Sequence, residues 1–264
     1  MMMQQKTLWQ KSQPWLVTFV VAAIFIWGFT GVPLTGIKST AGQVFGSIID
    51  GLVHPDWSYL YSGDGEDLVS ALLQTLAIAF LGTFMSAVLA VPFGFWAAKT
   101  NRKFFSPKSA SGKFVLTVVR VFPELVLAIM FIKAVGPGAF AGVLALGFHS
   151  VGMMGKLFSE AVENIDRGPN EAIAAAGGSA LDGLTMATFP AVLPEFMNYT
   201  LYRFEIAVRS ASILGIVGAG GVGAPLIFAL STRAWPRVGM ILIGIVVTVT
   251  AIDFLSGQIR KRLV

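Results

Sequence analysis

The stretch Glu171–Pro190, EAIAAAGGSALDGLTMATFP, is the longest polar-compatible interruption between apolar runs that also carries ordered helix punctuation. Pro169, just upstream, fits a first helical turn, where its missing N–H has no bond to lose. Glu171 follows where a carboxylate suits the positive end of the helix dipole. Ala172, Ile173, Ala174, Ala175 and Ala176 propagate the helix, and Gly177-Gly178 end it through a left-handed cap. Ser179-x-x-Asp182 then has capping-box spacing, with Asp in place of the usual Glu, ahead of an apolar run. The segment reads as two short helices around a glycine hinge, with Pro190 leading into a membrane span.

The surrounding composition sets the class. The chain has 264 residues, 55% hydrophobic and 12% charged, with a mean hydropathy of +0.74. A soluble domain carries about twice that charged fraction. Several apolar runs approach the ~20 residues needed to cross a bilayer. The expected fold is therefore all-α: a polytopic helical membrane protein forming a single domain over residues 1–264, with little room beyond loops for anything soluble. The net charge of +5 is gathered mostly beside apolar segments, where it sets orientation. It does not point to nucleic acid. The chain has no cysteine, which excludes disulfides and thiol chemistry. The first apolar run lacks a small-x-small cleavage site and is read as a retained span.

Taken in order, the apolar runs place spans at about 15–34, 68–98, 114–135, 140–158, 187–210 and 238–255. Residues 36–67 form a long outer loop with one base, Lys38, against Asp50, Asp56, Asp64, Glu66 and Asp67. Residues 99–113 carry Lys99, Arg102, Lys103, Lys108 and Lys113 and no acid, which assigns this loop to the cytoplasm. Gly136-Pro137-Gly138 then makes a tight external turn. Residues 159–188 return to the cytoplasm with the segment quoted above. Arg260, Lys261 and Arg262 end the chain inside. Six spans with both termini cytoplasmic satisfy every strongly basic segment. No internal repeat is evident, which argues against the inverted-repeat transporters.

A charge at the bilayer centre costs about 2.5–3.5 kcal/mol on insertion scales, so each one asks for a partner or a water-lined path. Arg120 and Glu124 are four apart across Pro123, and Glu205 and Arg209 are four apart with the acid first. That spacing puts each pair on one helix face. Tyr202 shares the Glu205–Arg209 face, and Arg203 points elsewhere with no local partner. Lys133 and Lys156 lie near span ends and read as snorkelling to the interface. Two readings stay open for the charges: staples of the bundle, or fixed charge along a path for an anion. His149 is a packed polar residue or a path residue.

Gly218-Ala219-Gly220-Gly221-Val222-Gly223 matches GxGxxG literally, but a dinucleotide fingerprint needs a preceding strand and an acid about 20 residues on. Here the run is apolar, Arg233 and Arg237 follow, and the next acid is Asp253. Gly218, Gly220, Gly221 and Gly223 are read as close helix packing or as an external gate or hinge.

The Glu171–Pro190 layout resembles the EAA loop of ABC-importer permeases, with Glu171, Ala172, Gly177 and Pro190 in register. Ile173, Ala187 and Phe189 replace that family's Ala, Ile and Leu. Asn198–Glu205, Val208-Arg209-Ser210, Gly215 and Val217–Gly223 look like the permease of phosphonate ABC importers. So do Gly142–Leu146 and Lys156–Glu163. The resemblance covers most of the chain from about Leu68.

The resemblance implies an ATP-driven importer of phosphonate, phosphite or hypophosphite. In that family two permease chains, here expected to be identical, meet at a two-fold axis in the bacterial inner membrane. Two ATPase subunits carrying ATP and Mg sit beneath them, and an external binding protein delivers the substrate. Glu171, Ala172, Gly177 and Pro190 would couple to the ATPase. Arg203, Glu205, Arg209, Arg120, Glu124, Tyr202 and His149 are the candidates for the translocation path. This chain itself has no GxxxxGK[ST] motif, so it is expected to be a transport subunit and not an enzyme, with no cofactor and no metal of its own. An importer for methionine or a betaine, and a channel or scaffold without ATP coupling, remain the alternatives.

Overall fold

The computed structural model describes residues 8–31, 40–99 and 107–262, and side chains from residue 14 onward. Lys38, Arg102 and Lys103, named above, lie outside the described residues. The chain divides into two compact units, 1–47 and 48–264. In the first, α1 (Leu8–Gly31) is one apolar helix whose described side chains are exposed along its length.

The regular elements of the second unit are all helices, with no strand among its described residues. Residues 36–67, expected as a loop, contain the apolar helix α2 (Ala41–Val53) and a 3-10 turn at Trp57–Tyr59. Asp67 then starts α3 (Leu68–Ala97): its carboxylate accepts from the Ser70 amide at 2.8 Å and from the Ser62 amide at 3.2 Å. This is the usual way an N-cap side chain satisfies donors that the helix leaves open.

The third expected span is broken. It forms α4 (Pro107–Val121) and α5 (Glu124–Val135), bent by 80° at Phe122-Pro123. Proline lacks the N–H and clashes with the carbonyl one turn back, so a break here has a local cause. Gly136 and Gly138, both at positive φ, turn the chain into α6 (Ala139–Asn164).

α3 and α6 form the central pair. A Cβ at Gly82 would meet the Leu146 side chain at 2.8 Å, and one at Gly94 would meet the Phe158 Cβ at 2.7 Å, so only glycine permits this spacing. Beyond α6 come α7 (Gly168–Ala175), the single turn α8 (Ala180–Asp182), a π-helical stretch at Gly183–Thr188 and α9 (Phe189–Leu214). A 3-10 turn, Gly215–Val217, leads through the glycine run into α10 (Gly223–Ser231) and then α11 (Trp235–Arg260). α9 lies against α3 and α6: Ala207, Val208, Ala211 and Leu214 share a core with Ile78, Ala79, Ala145 and Leu146. Lower on the same helices, Phe158 and Phe196 stack with centroids 3.9 Å apart.

Among the described residues, Pro14–Gly31, α3, α6 and α11 are long and apolar enough to cross a bilayer, and the bent pair α4–α5 would be a fifth crossing. α9 is as long as α6 and α11, 26 residues, but carries Glu195, Arg203, Glu205 and Arg209. Those charges are where the candidate path lies.

Candidate functional sites

The segment between α6 and α9 folds as its punctuation indicates. Asp166 accepts from the Gly168 amide at 3.0 Å, and Pro169 and Glu171 occupy the first turn of α7. At the other end Gly177, at φ +84°, donates to the Ala174 carbonyl at 3.1 Å while Gly178 donates to that of Ile173 at 2.9 Å. This pair of bonds is a Schellman closure. The Ser179 hydroxyl accepts from the Asp182 amide at 3.2 Å, and the Asp182 carboxylate accepts from the Ser179 amide at 2.8 Å and hydroxyl at 2.7 Å. These bonds hold the Asp182 carboxyl below the usual range.

Asn170 then ties α7 to the end of the π-helical stretch, its amide donating to the Thr188 hydroxyl at 2.9 Å. Ala187 and Thr188 are buried, whereas Glu171, Ala172, Gly177, Leu181, Leu184, Met186 and Pro190 are exposed. The segment is therefore anchored on its inner side and presents an apolar outer surface next to a carboxylate.

The membrane charges find partners on other helices. Arg203 is 3% exposed; its Nε donates to the Ser150 hydroxyl at 2.8 Å, and a terminal nitrogen lies 3.7 Å from a Glu124 oxygen. That oxygen also accepts from the Ser210 hydroxyl at 3.2 Å. The other Glu124 oxygen and that Arg203 nitrogen are buried with no hydrogen-bond partner in the protein. A buried polar group left in this state is costly, so the pair suits a site that takes in water or a polar solute.

The expected Arg120–Glu124 pairing is not formed. The 80° break at Pro123 takes the two residues off a common face; Glu124 turns to Arg203, and Arg120 faces a cavity between α4 and α6. The expected Glu205–Arg209 pairing is not formed either. Glu205 pairs with Arg260, and Arg209 reaches both oxygens of Asp253 at 3.1 and 3.2 Å, so these two of the α9 charges are answered by α11. Tyr202 sits beneath the Arg260 guanidinium, 6.0 Å from ring centroid to cation. Arg203, read as lacking a local partner, has distant ones. His149 donates from Nδ1 to the Phe122 carbonyl at 3.0 Å, an acceptor close to the break.

The glycine run is a packed turn outside α9. Gly218, Gly220 and Gly221 all have positive φ. The Gly218 carbonyl accepts from the Gly138 amide at 2.9 Å, which joins the run to the turn before α6. Gln74 and Thr75 of α3 accept from the amides of Gly221 and Val222, each at 2.8 Å. A Cβ at Gly223 would overlap the Ser212 carbonyl. Among the described residues no group of three or more His, Asp or Glu side chains could hold a metal ion.

Residues 90–264 match the family model described as binding-protein-dependent transport system inner membrane component. The chain belongs to this family. Among its relatives, the phosphite transport system permease protein PtxC of Stutzerimonas stutzeri is 40% identical over 194 residues, 74% of this chain and 70% of that one. The phosphate-import permease protein PhnE of Mycolicibacterium smegmatis is 39% identical over 245 residues, 92% of this chain and 42% of that one. Of solved structures, an inward-facing form of the MetNI methionine ABC transporter superposes with a TM-score of 0.65 at 22% identity, covering 75% of this chain and 96% of that one. At that identity the likeness speaks for the fold.

Among the features of this inner membrane component not foreseen from the residues are the π-helical stretch, the Asn170–Thr188 bond and the α9–α11 ion pairs. These three side-chain pairings join residues 18 to 55 positions apart, beyond any local spacing rule. The one available signal was that Asp253 and Arg260 are charges within or at the end of an apolar run.

Proposed function

We propose that the chain is the membrane-spanning permease subunit of an ATP-driven importer, carrying phosphonate or a related phosphorus oxyanion such as phosphite by alternating access. The observation that carries the substrate class is the likeness to two permeases whose names specify phosphite and phosphate. Arg203, buried between Ser150 and Glu124 with donor capacity unspent, agrees with an oxyanion path. Glu124, Glu205, Arg209, Tyr202 and His149 complete the lining in this reading. The acids keep affinity for the anion low enough for release.

The chain then crosses a bacterial inner membrane six times with both termini inside, as one permease domain. It pairs with a second copy, two cytoplasmic ATPase subunits that carry ATP and Mg, and an external binding protein. The 159–188 loop is the coupling element. Its outer surface, with Glu171 beside exposed Leu181, Leu184 and Met186, has the composition of a short helix that lies in a partner's groove. Asn170–Thr188 and Pro190 pass its displacement to α9. The glycines at 218–223 serve as the external gate or hinge.

The test is reconstitution with a phosphonate-type ATPase and binding protein, followed by ATP hydrolysis with phosphonate, phosphite, phosphate and methionine. Stimulation by a phosphorus oxyanion alone is expected. Assembly without stimulation by any of these anions overturns the substrate class, and failure to assemble overturns the importer.

A further inference from the structure

The cavity that Arg120 faces, between α4 and α6, has a volume of about 140 Å³. Lys113, Arg120 and Lys156 line it together with Glu160, Thr117 and Ser159. Both hydroxyls already donate to carbonyls of their own helices, Thr117 to Lys113 and Ser159 to Lys156, each at 2.8 Å. Lys156 pairs with Glu160 at 3.5 Å, and Lys113 pairs with Glu163 at 2.7 Å. Arg120 has no carboxylate partner among the described residues. Three lining cations against Glu160 leave an excess of two positive charges, and counting Glu163 leaves one.

The cavity is not loose packing. A Cβ at Gly152 would meet the Arg120 backbone nitrogen at 2.7 Å, and one at Gly155 would meet the Leu116 side chain at 2.5 Å, so α4 and α6 touch directly around it. It is also separate from the Arg203 site. At ~100° per residue, Gly152 and Ser159 stand roughly 160–180° around α6 from Ser150, which receives the Arg203 bond.

We propose that this cavity binds a phosphate-type oxyanion. A guanidinium presents a planar fork that matches two oxygens of such a group, and two ammonium groups add mobile point charges. The space also suits it: about 140 Å³ holds several waters at ~30 Å³ each, which one tetrahedral oxyanion would displace. Two sources offer this chemistry, the headgroup of an anionic phospholipid and a free oxyanion. The surroundings favour the lipid. Phe114, Val118 and Val121 are exposed on the adjoining face of α4, each one position and so about 100° on from a lining residue, where an acyl chain would lie.

The test uses the full chain in nanodiscs of phosphatidylcholine alone or mixed with phosphatidylglycerol, with native mass spectrometry counting retained lipid. The wild type retains phosphatidylglycerol, and R120Q and K156Q each reduce retention about fivefold. Arg120 is exposed and outside every ion pair above, so its replacement removes charge without opening the core. E160Q, which removes the one lining acid, raises retention. The opposite sign keeps the test sharp even if one lysine variant folds poorly. In pure phosphatidylcholine, inorganic phosphate at fixed ionic strength is compared with chloride by thermal unfolding. Protection by phosphate that R120Q abolishes, without lipid retention, identifies the free oxyanion as the source. Retention and protection that are both indifferent to R120Q and E160Q overturn the proposal. Neither readout involves an ATPase or transport, so its failure and that of the import reading are distinguishable.

Discussion

The Arg203 guanidinium of α9 lies 3.7 Å from the carboxylate of Glu124, the first residue of α5 after the break that separates it from α4. The two groups come from different helices, yet each is the nearest neutralising charge for the other in a part of the bundle with little access to solvent. Removing one charge leaves the other buried, whereas removing both leaves a polar but uncharged site. R203M is therefore expected to cost about 3–5 kcal/mol of stability, with R203M/E124Q less damaged than the single change. Unfolding of the four species in one detergent measures the coupling, expected at about 1–3 kcal/mol. Additive losses would mean that the pair does not act as a unit.

Gly142 and Gly257 provide a contrast on long helices. A Cβ at Gly142 would meet the Ala219 carbonyl at 2.5 Å, whereas nothing lies within 4 Å of one at Gly257. G142A is expected to destabilise by about 1–3 kcal/mol through overpacking against the glycine run. G257A is expected to be neutral or to gain up to about 1 kcal/mol from helix propensity. Thermal unfolding of the two variants decides it.

At Gly177 the surroundings are open but φ is +84°, so conformation and not space resists substitution. G177V is expected to cost about 1–2 kcal/mol locally and to loosen the α7–α8 turn, with G177N milder because Asn tolerates this region. In the reconstituted importer both G177V and E171W should lower transport per ATP hydrolysed. Normal coupled uptake in both variants would remove the coupling role.

The α7–α8 turn should be insensitive to pH across the neutral range. The folded carboxyl of Asp182 is held below its unfolded value by Ser179, so its contribution is fully present above the unfolded value, ~4, and is lost as pH falls through the lower folded value. Amide exchange over residues 171–190, corrected for intrinsic pH dependence, should stay constant from about pH 8 to 5 and rise only below about pH 4. D182N should abolish that dependence.

The legibility of this chain follows the range of its interactions. The Schellman closure at Gly177 and the capping box at Ser179–Asp182 are bonds within six residues, and residue types alone disclose them. Arg120–Glu124 and Glu205–Arg209 failed because the four-residue rule assumes an unbroken helix and an absence of better partners. Pro123 broke the first condition. Asp253 and Arg260, on a neighbouring helix, broke the second. Helix α2 was missed because acids around it made residues 36–67 read as loop, although Ala41–Val53 itself holds one acid, Asp50. The π-helical stretch had no local cue, since nothing in GLTMAT distinguishes it from ordinary helix.

The two ion pairs between α9 and α11 act as a polarity key. Going up α9 the order is Glu205 then Arg209; their partners on α11 are Arg260 and Asp253, so the later residue of one helix meets the earlier residue of the other. Run the last helix the other way and acid faces acid while base faces base. The final helix can thus seat fully in only one sense, opposite to α9, and a chain that threads it wrongly meets two repulsions where the correct one finds two attractions. The sense of this helix relative to α9 is thus written in the order of four charges, Glu205 and Arg209 against Asp253 and Arg260.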